Sequence, residues 1–408
     1  MKNCIIAQSG GPTTAINASI AGVLIENQTN NYFNNVYGAL NGITGILNHR
    51  IINLTDKVAA DNNFISKLKI TPAMYLGSCR YKLPNLDNSP DTYQTIFSYF
   101  EQLEIDTFFY VGGNDSMDTV LKLSEYAKQI NSPVKVLGIP KTIDNDLCHT
   151  DHTPGYGSAA KYIATSLLEI AHDTCIYPLQ SVTVVEIMGR DAGWLTAASA
   201  LARNKYNVAP HLIYLPERDF DLDQCIADTK ELLKSNHAVV IAISEGPHDK
   251  DGNYISASGT EIDHFGHCKL SGAGKSLEQA LNNVLDTKVR SVELSVLQRA
   301  AAHCASLCDL DESVSLGQQA VCLSQENKSG YMATIERLSD QPYQTKISSC
   351  NIEVIANEVK QVPDSYINAQ GNNITQEFID YALPLIQGEP DIPFENGIPS
   401  YLDISHLV

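Results

Sequence analysis

Basic residues are scarce in this 408-residue chain: 28 Lys and Arg stand against 47 Asp and Glu, a formal net charge of −19. With a pI near 4.9, extended basic surfaces for nucleic acid or anionic lipid are not expected. Any anionic ligand must be held by a few placed Arg, Lys and backbone N–H groups. Long apolar runs are lacking as well. No stretch approaches the ~20 apolar residues a membrane helix needs. Residues 1–25 are too interrupted by polar side chains for a signal peptide, so a cytoplasmic protein is expected. Ten Cys are scattered without a single CxxC, which fits reduced thiols and no disulfide framework. A GxGxxG fingerprint, internal repeats and low-complexity segments are also missing.

What is present is a core. Apolar residues make up 43% of the chain, enough to exclude disorder, and the length suits two or three domains. Short β-branched runs alternate with helix-length segments: strands are predicted at 3–7, 106–111, 134–139, 182–187, 211–215 and 238–243. That alternation predicts α/β architecture, with two doubly wound, Rossmann-like domains. The Pro-, Gly- and Asn-rich tail from 363 to 408 is expected to wrap the surface.

In such sheets ligands bind beyond the carboxyl ends of the strands. The unusual residues fall there: Gly10-Gly11, Gly112-Gly113, Lys141 to Asp146, Met188-Gly189-Arg190 and Ser244-Glu245-Gly246. Glycine pairs before a helix let the backbone close on an oxyanion. Any one pair reads as a turn; five strand ends together imply a composite site. The richest is Pro140-Lys141-Thr142-Ile143-Asp144-Asn145-Asp146. Its carboxylates can take a proton from an attacking hydroxyl or hold Mg²⁺, while the ammonium spreads charge building on a transferred phosphoryl group. Taken alone it could equally be a solvated turn with an intraloop ion pair.

Two further patterns read as structure. The SGAGKS run at 271–276 ends like a phosphate loop, but Lys269 stands where the first glycine belongs and no strand precedes it. It is expected to be a loop before a helix. Cys304 and Cys308 beside His303, and the His264/His267/Cys268 run, read better as structural residues than as metal ligands.

The motifs SGGPTTAINA, YLGSCRYKL, YVGGNDSMDT, PKTIDND, DHTPGYGSAAKYIA, VEIMGRDAGWLTAASAL, ISEG, VLQRAAAHCASLCD and SGYMATIERL occur in that order through residue 338. In sequence and spacing the chain resembles the phosphofructokinase family, and specifically its pyrophosphate-dependent branch. The resemblance implies an active site in a cleft between two domains that the chain crosses more than once. It divides the chain into 1–140 plus about 250–300 on the donor side, 141–250 plus about 301–362 on the sugar-phosphate side, and 363–408 as a C-terminal extension. It further implies Mg²⁺-dependent, reversible phosphoryl transfer from pyrophosphate to the 1-hydroxyl of fructose 6-phosphate, a step of glycolysis, by a homo-oligomer (dimer or tetramer).

On that resemblance, Asp144 is the general base, with Lys141 and Asp115 beside it in the catalytic set. Gly10, Gly11, Arg80 and Lys141 would bind the diphosphate. Thr142, Ile143, Met188, Gly189, Arg190, Glu245, Val296 and Arg299 would contact the sugar phosphate, and Arg290 a neighbouring subunit's. Asn114 and Asp146 would lie near the metal. ATP-dependent relatives usually carry glycine where Asp115 and Lys141 stand. A carboxylate at the place of a nucleotide α-phosphate repels it, at a cost of several kcal/mol in a low-dielectric cleft. Pyrophosphate rather than ATP is therefore the expected donor.

Three positions depart from the branch. Asn114 replaces a carboxylate, Ser181 stands where many relatives have arginine, and Val296 replaces an aromatic residue or His. These departures weaken the assignment of the sugar-phosphate pocket and leave room for a broader acceptor, such as sedoheptulose 7-phosphate. Two other readings are an ATP-dependent phosphofructokinase and a catalytically silent regulatory paralogue. Asp115 and Lys141 oppose the first; the retained Asp144, Lys141, Arg190 and Arg299 oppose the second.

Overall fold

The structure is a computed structural model that describes residues 2–255, 272–356 and 358–407. The His264/His267/Cys268 run and Ser271 lie outside them. The chain forms two compact units. One comprises residues 1–158, 299–359 and 387–408, and the other residues 159–298 and 360–386. The strands of the two larger sheets are, in chain order, β1 (Asn3–Gln8), β2 (Val36–Ala39), β3 (Ile51–Asn53), β4 (Ile105–Gly112) and β5 (Lys135–Pro140). They continue with β6 (Ser181–Ile187), β7 (Leu212–Tyr214), β8 (Ala238–Ser244), β9 (Lys288–Glu293), β10 (Tyr331–Asp340) and β11 (Tyr343–Asn351).

Among the described residues the first unit carries a seven-stranded sheet of order β11-β10-β5-β4-β1-β2-β3. Its five inner strands run parallel, and β3 and β11 are antiparallel edges. Both faces of its central strands are covered, so β1, β4 and β5 are largely apolar and their side-chain alternation feeds two separate cores. Cys4, Ile6, Phe109, Val111, Leu137 and Ile139 point into one, which contains Ile16, Ile20 and Val23 of helix Ile16–Asn30 and Leu316, Ala320 and Leu323 of helix Leu307–Gln325. Ile5, Ala7, Phe108, Tyr110 and Val136 point into the other, shared with helices Pro90–Gln102 and Asn114–Gln129. The first pair of helices crosses closely because Gly22 and Gly317 have no side chains. A Cβ on Gly22 would lie 2.0 Å from the Val314 carbonyl oxygen, and one on Gly317 2.1 Å from that of Ser19.

The second unit holds a four-stranded parallel sheet, β7-β8-β6-β9, among its described residues. One face packs Val182, Val184, Val239, Ile241 and Ile243 against Leu277 and Leu281 of helix Ala273–Asn282 and Cys225 of helix Leu222–Leu232. Elsewhere in this unit Trp194 meets Tyr366 and Tyr381, and its indole N–H donates to the Lys360 carbonyl oxygen at 2.8 Å.

Both sheets are as expected in class, but the division of the chain differs. Residues 250–298 belong with the second unit, because β9 pairs with β6. Most of 301–362 belongs with the first, because β10 pairs with β5. The tail is split between the units rather than forming an extension of its own. Among the described residues, no helix is long and apolar enough to cross a membrane.

Candidate active site

In the first unit the parallel register sets three strand ends side by side. Gln8 pairs with Val111, and Gly112 with Pro140, so the chain leaves β1, β4 and β5 at one edge. Gly10 and Gly11 follow β1, and Gly10 adopts φ +81°, a left-handed conformation glycine takes without steric cost. Thr13 then accepts from the N–H groups of Ala15 and Ile16 at 3.2 and 2.9 Å and starts the helix behind the loop. The loop is also held from outside. Ser78 Oγ donates to the Gly10 carbonyl oxygen at 2.7 Å. The segment carrying Ser78 is tied down by two buried amides: Gln8 Oε1 accepts from Leu76 N at 3.0 Å and Asn17 Oδ1 from Tyr75 N at 2.9 Å. Arg80 follows on that segment, with its side chain exposed.

After β4 the chain turns at Gly113 into helix Asn114–Gln129, so Asn114 and Asp115 occupy its first turn. Asp115 is exposed there. Asn114 Nδ2 donates to Asp146 Oδ2 at 3.0 Å, while its Oδ1 is buried without a hydrogen-bond partner.

After β5 comes the acidic loop. Lys141 is only 2% exposed, and its ammonium donates to the Gly11 carbonyl oxygen at 2.8 Å. Burial pulls its pKa down to about 8; Asp144 and Asp146 oppose that shift and the Arg299 guanidinium adds to it. Thr142 Oγ1 accepts from the Asp144 N–H at 3.1 Å and lies 3.3 Å from Asp144 Oδ2, fixing that carboxylate. Ile143 is buried. Arg299 comes to the same place: a Cβ on Gly11 would lie 3.4 Å from its Nη1. The first unit thus collects Gly10, Gly11, Asn114, Lys141, Asp144, Asp146 and Arg299 around one strand-end edge.

The second unit has its own strand-end set. Met188, Gly189 and Arg190 leave β6, and Glu245 leaves β8, whose Ser244 pairs with Ile187. Gly189 is left-handed at φ +137°, and the Met188 N–H donates to Gln298 Oε1 at 3.2 Å. Arg190 Nε lies 3.0 Å from Asp191 Oδ2. Val296 is 50% exposed and lies just beyond Ser295, at φ +45°. Arg290 is held within its own unit, with Nη2 at 2.6 Å from Asp173 Oδ2 of helix Tyr156–Cys175 and Nε at 3.1 Å from Thr183 Oγ1 of β6.

The phosphofructokinase family matches residues 3–323. The chain belongs to the phosphofructokinase family. It is 40% identical over 400 residues to a pyrophosphate–fructose 6-phosphate 1-phosphotransferase of Halomonas elongata, covering 97% of this chain and 94% of that one. It is 38% identical to a protein of the same name from Xanthomonas campestris, covering 99% and 96%. A crystal structure of pyrophosphate-dependent phosphofructokinase from Nitrosospira multiformis superposes with a TM-score of 0.87 at 34% identity, covering 98% of this chain and 96% of that one.

Within this phosphofructokinase-family chain the SGAGKS segment is no phosphate loop. Its helix starts at Ala273, and Glu186 fills the helix N-terminus, accepting from Gly272 N at 3.1 Å and Gly274 N at 2.7 Å. Cys304 and Cys308 fall on opposite sides of a helix break at Ala305, and no group of three or more His, Cys, Asp or Glu placed to hold a metal ion occurs among the described residues. Sequence reasoning missed the supports: Gln8, Asn17 and Ser78, and the His152–Glu312 pair described below. Asn17, Ser78 and His152 are polar residues inside motifs whose visible signal came from their neighbours, while Gln8 and Glu312 lie just outside the motifs.

Proposed function

We propose that the chain catalyses reversible, Mg²⁺-dependent phosphoryl transfer between pyrophosphate and the 1-hydroxyl of fructose 6-phosphate, in the cytoplasm. The observation that carries this reading is the buried Lys141 ammonium, bonded to the glycine loop at Gly11 and flanked by Asp144 and Asp146.

Asp144 takes the proton of the sugar 1-hydroxyl as its oxygen attacks phosphorus. The new O–P bond forms as the bridging O–P bond of pyrophosphate breaks, and inorganic phosphate leaves. Lys141 and Arg299, beside Gly10 and Gly11, meet the negative charge of the transferring group, and Arg80 is assigned to the outer phosphate. In the second unit Met188, Gly189, Arg190 and Glu245 are assigned to the sugar phosphate. Asp115, in the first turn of its helix, is assigned to excluding a nucleotide α-phosphate.

The metal has a matching donor set. The orphaned Asn114 Oδ1 and the neighbouring Asp146 carboxylate are hard oxygen ligands of the type Mg²⁺ prefers, and it characteristically completes its shell with water and substrate phosphates. Bound there, Mg²⁺ would neutralise phosphate charge; a neutral Asn leaves more of the metal binding to Asp146 and the substrate phosphates. Arg290 is assigned to a neighbouring subunit's substrate, making a dimer or tetramer the active form.

Formation of fructose 1,6-bisphosphate from fructose 6-phosphate and pyrophosphate, by purified protein with Mg²⁺, tests the reading. Turnover that collapses in Asp144→Ser supports it. No turnover in either protein contradicts it and favours a silent paralogue.

A further inference from the structure

A second cluster of buried charge lies in the first unit, built from residues that the proposed reaction does not use. His152, 2% exposed, has Nδ1 at 2.7 Å from Asp151 Oδ2 and Nε2 at 2.6 Å from Glu312 Oε2. A neutral imidazole could donate to one of these carboxylates only; with both nitrogens so placed, the ring is an imidazolium. Every packed element contributes to its surroundings. From β10, Arg337 Nη2 reaches Asp151 Oδ2 at 2.8 Å. From β11, Tyr343 and Thr345 donate to Glu312 Oε1 at 2.8 and 3.0 Å. From helix Leu307–Gln325, the Cys308 thiol lies 3.7 Å from Glu312 Oε2, while Asp309 turns away to accept from Gly155 and Ser158 N–H groups at 2.9 and 3.0 Å. Two cations, His152 and Arg337, thus balance Asp151 and Glu312.

The residue after His152 reaches the acidic loop. Thr153 Oγ1 donates to the Thr142 carbonyl oxygen at 2.8 Å, and Thr153 N–H to Asn145 Oδ1 at 3.0 Å. Thr142 N–H in turn donates to the Pro154 carbonyl oxygen at 3.1 Å. Segment 153–154 is therefore the backstop against which Thr142 to Asn145 is folded. Asn145 itself sits at φ +55°, a conformation that costs a non-glycine residue energy and must be imposed by its surroundings. Buried ion clusters add little net stability over apolar packing, so one fixed geometry is what this one supplies.

We propose that His152 is a positioning residue for phosphoryl transfer: clamped between Asp151 and Glu312, it fixes Thr153 and thereby the loop that presents Lys141 and Asp144. The assignment rests on the phosphotransferase reading above for its kinetic consequence.

Four proteins decide it: wild type, His152→Gln, Thr153→Val and Thr153→Ser, assayed with pyrophosphate, fructose 6-phosphate and Mg²⁺. His152→Gln and Thr153→Val should lose about tenfold or more in kcat with both KM values within about twofold, as expected when the reacting groups are misplaced after binding. Thr153→Ser keeps the donor hydroxyl and should stay near wild type. Wild-type kcat in folded His152→Gln overturns the proposal, as does equal kcat in Thr153→Val and Thr153→Ser. If His152→Gln does not fold, the Thr153 pair still decides. If the wild type turns over no pyrophosphate, the activity reading fails, and amide exchange over residues 142–146 decides the positioning role instead. Exchange should then be faster in Thr153→Val than in Thr153→Ser; equal rates overturn it.

Discussion

The Lys141 ammonium and the Gly11 carbonyl oxygen are 2.8 Å apart, joining the glycine loop after β1 to the acidic loop after β5. The contact has a pH signature. Burial holds Lys141 near pKa 8, so the free enzyme loses this charge as pH rises through that value. The kcat/KM profile for pyrophosphate should therefore fall above about pH 8. In Lys141→Arg the limb should disappear, since a guanidinium does not titrate there, with a lower plateau from imperfect fit. A wild-type profile that stays level into strongly alkaline buffer would contradict this role.

Asn114 donates to Asp146 and leaves its own oxygen unpaired. Replacing it by Asp exchanges that hydrogen bond for repulsion between carboxylates, which a divalent cation relieves. Asn114→Asp should melt below the wild type in chelator and gain more from added Mg²⁺. It should also reach half-maximal activity at lower Mg²⁺. Asn114→Leu should require more Mg²⁺ than wild type. Identical Mg²⁺ responses in all three proteins would remove Asn114 from the metal site.

The sheet scaffold was legible in the sequence because both faces of the parallel strands are buried. Uninterrupted apolar runs such as Cys4–Ala7 and Val239–Ile243 announce themselves. Edge and hairpin strands did not: β9 reads KVRSVE, and β11 exposes alternate polar residues, so neither carries an apolar run. The expectation that residues 250–300 join the first unit came from the family resemblance, and the pairing of β9 with β6 places residues 288–293 in the second. At the site, Gly10, Lys141 and Asp144 stood out by type and position. Glu312 did not, because its partner His152 lies 160 residues away and only folding brings them together.

The clamp on His152 predicts a pH-dependent stability. Although burial alone would lower it, Glu312 and Asp151 raise the His152 pKa from 6.5 to about 9. A base whose folded pKa exceeds its unfolded one contributes stability that is full below pH 6.5 and is lost as pH rises through 9. At about 1.4 kcal/mol per pKa unit this is of order 3 kcal/mol. Lys141 runs the other way above pH 8, so the comparison is with a variant. Wild-type melting temperature should drop relative to His152→Gln between pH 6.5 and 9.5 by about 5 °C or more. Parallel curves would show that His152 does not titrate in this window.

Donor choice is assigned to Asp115 and Lys141 together. The double variant Asp115→Gly/Lys141→Gly removes both the repelling carboxylate and the filled volume. It should bind ATP more tightly and turn over pyrophosphate more slowly, shifting the ratio of specificity constants by at least about tenfold toward ATP. An unchanged ratio would place discrimination elsewhere in the site.

The central claim concerns which anhydride the wild-type site accepts. The most direct measurement is kcat/KM for pyrophosphate and for ATP on one purified preparation, at saturating fructose 6-phosphate and Mg²⁺. Efficient pyrophosphate turnover with negligible ATP turnover is the predicted result. Robust ATP turnover with negligible use of pyrophosphate would contradict it.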